Sequence, residues 1–420
     1  MDVNQPSPML GGLSPQAFMK RHWQKKPLVI RNAFADGVMP LSRGQLFDLA
    51  ARDGVESRLI RRSPPVSAAL KRTTETTTKP ADKIARDKLA KRPKASEWHM
   101  THGPFGRRTL PALKTPGWTL LVQGVDLHVQ AVHELLQQFC FVPQARLDDV
   151  MVSFATDGGG VGPHFDSYDV FLLQAQGSRL WRVGRQKDLS LQRGVPLKLL
   201  QHFEPEEVHL LHAGDMLYLP PRWAHDGVAQ GECLTYSIGF RAPGPQEIAS
   251  DVLQRLADGV GDSMQDAADT ANTGMRPHLY RDPDQAAVAA PGAVPTALQE
   301  FTRAAVHNAL KEPGALNRAL GELLTEPKHQ VWFEAQENGT GSKRDGFPLN
   351  LCLDRRTRMM YDERHIFING ESYRAAGRDA RLLHELADSR KLPGATLRLA
   401  SAEARELLAQ WLQAGWLHGD

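Results

Sequence analysis

The chain has 420 residues, 41% hydrophobic and 24% charged, ordinary values for a folded protein able to bury a sizeable core. No run approaches the roughly 20 apolar residues of a membrane-spanning helix, and the opening MDVNQPSPML lacks a basic-then-apolar signal segment, so a cytoplasmic protein with no membrane association is expected. The 51 basic and 48 acidic residues leave a net charge of +3, too balanced to signal nucleic-acid binding. The three cysteines, Cys140, Cys233 and Cys352, lie far apart, which argues against both a disulfide framework and a thiolate zinc site.

Ser14-Pro15 opens a capped helix with proline at its first position, and Pro27–Ile30 follows as a strand. Lys71 to Lys94 then carries nine Lys/Arg against three Asp/Glu, so +6 sits in 24 residues and the rest of the chain nets −3. This Thr-rich stretch reads as a mobile insertion spanning about 62–97, more a solvated loop than an RNA contact. A buried strand is expected at Trp118–Val125 and a helix near Val129–Phe139. Short strands follow at Val150–Thr156, His164–Gln174, Arg179–Val183, His209–Leu211, Asp215–Leu219 and Leu234–Phe240. Their frequency and Gly/Pro punctuation predict an all-β sandwich or barrel. After Pro243, Gln246–Leu256 and Thr296–Leu310 have helical periodicity. Helices at Leu382–Ala387 and Ala402–Leu412, with short strands at Met359–Tyr361, His365–Ile368 and Trp416–His418, fit a winged-helix module. No internal repeat is visible.

The chemistry concentrates at Asp157-Gly-Gly-Gly-Val-Gly-Pro-His164-Phe165-Asp166. On a strand, His164 and Asp166 would point the same way, giving two ligands of a 2-His-1-carboxylate triad for Fe(II). His-x-Asp/Glu alone is a weak signal. His202-Phe203-Glu204 falls in an exposed-looking connection, and His418-Gly419-Asp420 ends the chain. Context separates the first match: a glycine-rich turn before it, Arg179 on a strand after it, and Leu217–Trp223 leading into His225. A double-stranded β-helix would return His225 beside the pair. Arg179 could alternatively form a structural ion pair with Asp166 or Asp169. His209 and His212 read as strand-end residues, His102 as part of a turn, and Trp118, Trp181 and Trp223 as core. The Leu407, Leu408, Trp411, Leu412 stripe is core or interface.

Four blocks, in order, carry a resemblance: WQKKPLVIR (Trp23–Arg31), THGPF (Thr101–Phe105), Gly158–Gly184, and LYLPPRWAHDGVA (Leu217–Ala229). The chain resembles the JmjC/cupin-fold 2-oxoglutarate oxygenases, specifically the bacterial ribosomal-protein arginine hydroxylases. The resemblance implies an α+β protein: a double-stranded β-helix catalytic domain over 1–245, a helical dimerisation region over 246–315 and a winged-helix-like domain over 316–420. It implies Fe(II) held by His164, Asp166 and His225, and 2-oxoglutarate held by Arg179 and Ser153. It further implies a ribosomal protein substrate and a homodimer. An arginine substrate needs a carboxylate partner and a surface for its stem, for which Asp157 and Tyr168 are the candidates, although Asp157 also fits a turn former. No acid–base residue is required beyond the metal ligands. Arg222 stands where general cupins carry glycine, and the basic insertion is unexplained. Another JmjC-type hydroxylase or demethylase, or a non-catalytic cupin with an RNA- or ribosome-binding winged helix, stays open. Ala402–Trp411 has one Arg and two Glu, so direct nucleic-acid binding is not expected.

Overall fold

The computed structural model describes residues 2–35, 40–62, 98–269, 280–283, 292–311, 314–335 and 350–419. The basic segment 71–94 lies outside them. Two compact units divide the chain at Ala242/Pro243. Among the described residues no helix is long and apolar enough to cross a membrane.

Among the described residues the first unit has nine strands: β1 (Leu28–Ile30), β2 (Ser57–Arg62), β3 (Trp98–His102), β4 (Trp118–Val122), β5 (Leu147–Ala155), β6 (Val170–Gly184), β7 (Glu207–His212), β8 (Met216–Leu219) and β9 (Ala224–Phe240). All pair antiparallel in the order β1-β8-β6-β9-β5-β4-β2-β3, with β7 also on β6. The helix expected after Ser14 runs Pro15–Arg21, and the Ser14 Oγ accepts the Ala17 N–H at 3.2 Å. A further helix, Arg43–Ala50, is closed at its start by a Ser42/Gln45 capping box.

β6 carries the logic of the unit. Its early residues alternate faces: Phe171 and Leu173 enter a core with Phe18, Phe139, Tyr218, Tyr236 and Phe240, while Val170 and Leu172 face a cavity. Each large aromatic so buried contributes roughly 1.5–3 kcal/mol. Two register shifts between Gln174 and Ser178 then break the ladder against β9, with Gly177 at φ 66°. Beyond them the parity is inverted, and Arg179 and Trp181 face the cavity. What reads as two strands in the sequence is one bulged strand of 15 residues. The last expected strand is likewise the end of the 17-residue β9.

The second unit contains the helices Pro245–Asp269, Thr296–Lys311, Ala315–Thr325, Gly377–Ser389, Gly394–Leu397 and Ala402–Gln413. Two three-stranded sheets accompany them, formed from β10 (Asn350–Leu353), β11 (Met359–Tyr361), β12 (His365–Ile368), β13 (Glu371–Arg374), β14 (Lys391–Pro393) and β15 (Leu417–Gly419). Leu408 and Trp411 are buried in its core with Leu383, Leu386 and Ile368, and Leu407 and Leu412 pack against it.

Candidate metal and co-substrate site

The segment carrying His164 and Asp166 is not the regular strand that the alternation argument assumed. His164 forms an isolated antiparallel bridge with His225, and Asp166 lies in irregular chain. Asp166 is fixed instead through its backbone, whose carbonyl accepts the Arg222 N–H at 2.7 Å. Arg222 has φ 66°, the left-handed conformation that glycine adopts freely, so the arginine retains the turn that a glycine would make. The turn before His164 threads closely between strands: a Cβ on Gly160 would lie 2.5 Å from the Gly227 carbonyl oxygen.

These constraints bring His164, Asp166 and His225 together, with one possible ligand atom from each lying within 4.8 Å of the others. The imidazoles are oriented from behind. His164 Nδ1 lies 2.9 Å from the Gly162 carbonyl and His225 Nδ1 3.0 Å from the Trp223 carbonyl. A carbonyl only accepts, so each Nδ1 carries the proton and each Nε2 keeps a lone pair for the cluster. His225 Nε2 is 3.7 Å from Asp166 Oδ2. Burial, helped by the neighbouring His164, pushes the His225 imidazole down to about 4, so it stays neutral at neutral pH, the form that binds metal.

A cavity of about 300 Å³ opens beside the cluster. Arg179 lines it at 4% exposed, with its Nη2 3.5 Å from Cys233 Sγ and its Nε without a hydrogen-bond partner. The ion pair with Asp169 does not form. That carboxylate accepts from Tyr218 Oη at 2.6 Å and Gln24 Nε2 at 3.0 Å, and pairs with Arg146. Ser153 also lines the cavity opposite Thr235, where its hydroxyl donates to the Thr235 carbonyl. A buried guanidinium with an orphaned N–H calls for an anion. Two imidazoles and a carboxylate suit Fe(II). The residues present therefore fit both a divalent metal and a dicarboxylate.

Tyr168 borders the same cavity. Partial burial and the carboxylates of Asp166, Asp149 and Asp148 push its phenol above the usual range, so it stays protonated. Asp157 does not line the cavity. It is exposed, and its Oδ1 accepts the Gly231 N–H at 2.8 Å, holding a turn of β9. This contact matches the turn-former alternative for Asp157. The cavity's carboxylates besides Asp166 are Asp148 and Asp149, at the irregularity in β5, and sequence reasoning missed both. Adjacent acids at the mouth of a strand were the available signal. The competing histidines behave as read: His202 and Glu204 are exposed, and His209 and His212 sit on β7 paired to Glu207 and Ser178. His418 is bound to Asp354. His102 ends β3 rather than shaping the turn itself.

Fold and site together define a JmjC-type oxygenase. Residues 134–248 match the JmjC domain family and residues 306–418 the ROXA-like winged helix. The ribosomal protein uL16 3-hydroxylase of Escherichia coli (strain K12) is 31% identical over 321 residues, 75% of this chain and 72% of that protein. The X-ray structure of E. coli ycfD superimposes with a TM-score of 0.72 at 28% identity, covering 96% of this chain and 97% of that one. E. coli ribosomal oxygenase YcfD in complex with cobalt and 2-oxoglutarate gives 0.70 at 27% identity, covering 97% and 98%. The chain belongs to the ribosomal oxygenase family.

Proposed function

We propose that this chain is an Fe(II)- and 2-oxoglutarate-dependent oxygenase that hydroxylates an arginine side chain of a large-subunit ribosomal protein. One observation carries the reading: a three-ligand cluster and a buried arginine without a carboxylate partner line the same cavity. His164, Asp166 and His225 would hold the metal. Arg179 would grip the distal carboxylate of 2-oxoglutarate through parallel hydrogen bonds, with the Ser153 hydroxyl beside it. When bound, Fe(II), 2-oxoglutarate and dioxygen supply the oxidation that installs a hydroxyl on an unactivated C–H bond, releasing succinate and CO₂. The protein's task is to position the target carbon and exclude water.

Asp148 and Asp149 favour an arginine over a neutral side chain, because a guanidinium entering there meets carboxylates while Tyr168 flanks its stem. A protein lysine or histidine hydroxylase, or a demethylase, would use the same triad, and the acidic pair also tolerates lysine. The exposed Leu298, Val306 and Leu310 on the helix Thr296–Lys311 support the expected homodimer. A ribosomal substrate supports the cytoplasmic location expected from the sequence. The test is to incubate ribosomal proteins, uL16 first, with enzyme, Fe(II) and 2-oxoglutarate, and to locate any added oxygen by fragmentation. Oxygen on an arginine supports the reading; oxygen confined to another residue type discards the arginine assignment.

A further inference from the structure

Arg179 is not the sole buried donor left unpaired in the cavity. Trp181 follows two residues later on the same face of β6, lines the cavity and is 5% exposed. Its indole Nε1 is buried without a hydrogen-bond partner. An indole N–H can only donate, and leaving it unpaired costs about 1–3 kcal/mol. The ring's orientation is set by Gly227. A Cβ there would lie 2.6 to 2.8 Å from Cζ3, Cη2 and Cε3 of Trp181, so the face of the benzo ring rests on the Gly227 backbone. The ring centroid is 5.7 Å from the Arg179 Cζ and 5.8 Å from the His225 ring centroid, so the indole stands beside both the anion-binding arginine and the metal cluster.

We propose that the Trp181 indole N–H donates a hydrogen bond to a carboxylate oxygen of bound 2-oxoglutarate, as a second donor beside Arg179. The proposal rests on the oxygenase reading above. Two orphaned donors at neighbouring positions on one wall need an acceptor with several oxygens, and a dicarboxylate brings four. Trp181 would then fix the tilt of the co-substrate in addition to filling the space above Gly227.

Trp181→Phe separates these roles, since phenylalanine keeps an aromatic ring over Gly227 and under Arg179 but has no N–H. In the Zn(II)-loaded full-length protein, the variant should bind 2-oxoglutarate about tenfold more weakly, the loss of one hydrogen bond to a charged acceptor. Its Zn(II) affinity and Tm should stay close to those of the parent. In parent protein carrying ¹⁵N-labelled tryptophan, the indole resonance that is missing from the variant should shift on saturation with 2-oxoglutarate. Equal 2-oxoglutarate affinity in parent and variant, or an unshifted resonance at saturation, overturns the assignment. Failure of the Zn(II)-loaded parent to bind 2-oxoglutarate at all would overturn the oxygenase reading along with it.

Discussion

His164 and His225, 61 positions apart in the sequence, exchange both backbone hydrogen bonds: His164 N–H donates to the His225 carbonyl at 3.0 Å, and His225 N–H to the His164 carbonyl at 2.8 Å. This reciprocal bridge holds the two ring centroids 4.3 Å apart. The separation of the two imidazoles is therefore set by backbone pairing. Rotation of each ring is then restrained by the carbonyls of Gly162 and Trp223.

Replacing any of His164, Asp166 or His225 by Ala should cost metal affinity by about 100-fold or more while leaving most of the fold intact, because the strands pair independently of these side chains. Titration of Mn(II) or Zn(II) into each variant, with circular dichroism as a fold control, checks this. Near-parental affinity in any one variant would remove that residue from the ligand set.

Arg179→Met should raise the KM for 2-oxoglutarate about 100-fold and leave metal affinity unchanged, since it removes a charged bidentate partner but no ligand. Succinate release as a function of 2-oxoglutarate concentration measures this directly. An unaltered KM would assign Arg179 to packing on Trp181 and Cys233.

Asp148→Asn should raise the KM for an arginine peptide about tenfold or more, whereas Asp157→Ala should leave it unchanged and lower stability by about 1 kcal/mol through loss of the Gly231 contact. Peptide kinetics and thermal melts on the two variants separate the assignments. The opposite ranking would restore Asp157 to the substrate site.

Arg222→Gly should be tolerated, with Tm rising or staying level and metal affinity retained. Glycine relieves a left-handed φ worth about 1 kcal/mol but adds freedom to the unfolded chain. A marked loss of metal affinity would mean that the arginine side chain, and not its backbone N–H on Asp166, fixes that ligand.

In the second unit, the Asp354 carboxyl is held well below its ordinary range. Burial opposes this, but hydrogen bonds from His418 at 2.6 Å and Arg356 at 2.7 Å outweigh it. The native state therefore releases this proton more readily than the unfolded chain, whose carboxyl titrates near 3.9. The stabilisation is complete above about pH 5, begins to fall near the unfolded-state value and is lost as pH drops on through the lower native-state value. Melts of parent and Asp354→Asn at neutral and acid pH should show the larger acid loss in the parent. Equal losses would contradict this.

The cluster of His164, Asp166 and His225 could be proposed from the sequence because its members sit in short-range motifs, His164-x-Asp166 and the Pro220-Pro221-Arg222-Trp223 turn before His225, and the structure brings the three together. The reason given for pairing His164 with Asp166 was incomplete, since a bridge and a turn replace the strand. The bulge at Gln174–Ser178 reads in the sequence as a break between two strands, since Gln-Ala-Gln-Gly-Ser holds a turn-like glycine and no sign that the ladder continues past it. Strands β2 and β3 were missed because they flank the compositionally biased segment, and β10, β13 and β14 were not anticipated. For Asp157 the sequence left two readings, because an acid before glycines serves a turn as readily as a substrate contact.

The most direct test of the hydroxylase account is to run the reaction on ribosomal proteins under isotopically heavy dioxygen in ordinary water, with His164→Ala as control. The account expects one large-subunit protein to gain one heavy oxygen atom on an arginine, matched by succinate formation and absent in the control. Stoichiometric succinate without a label on any ribosomal protein, or a label that comes from water, would contradict it.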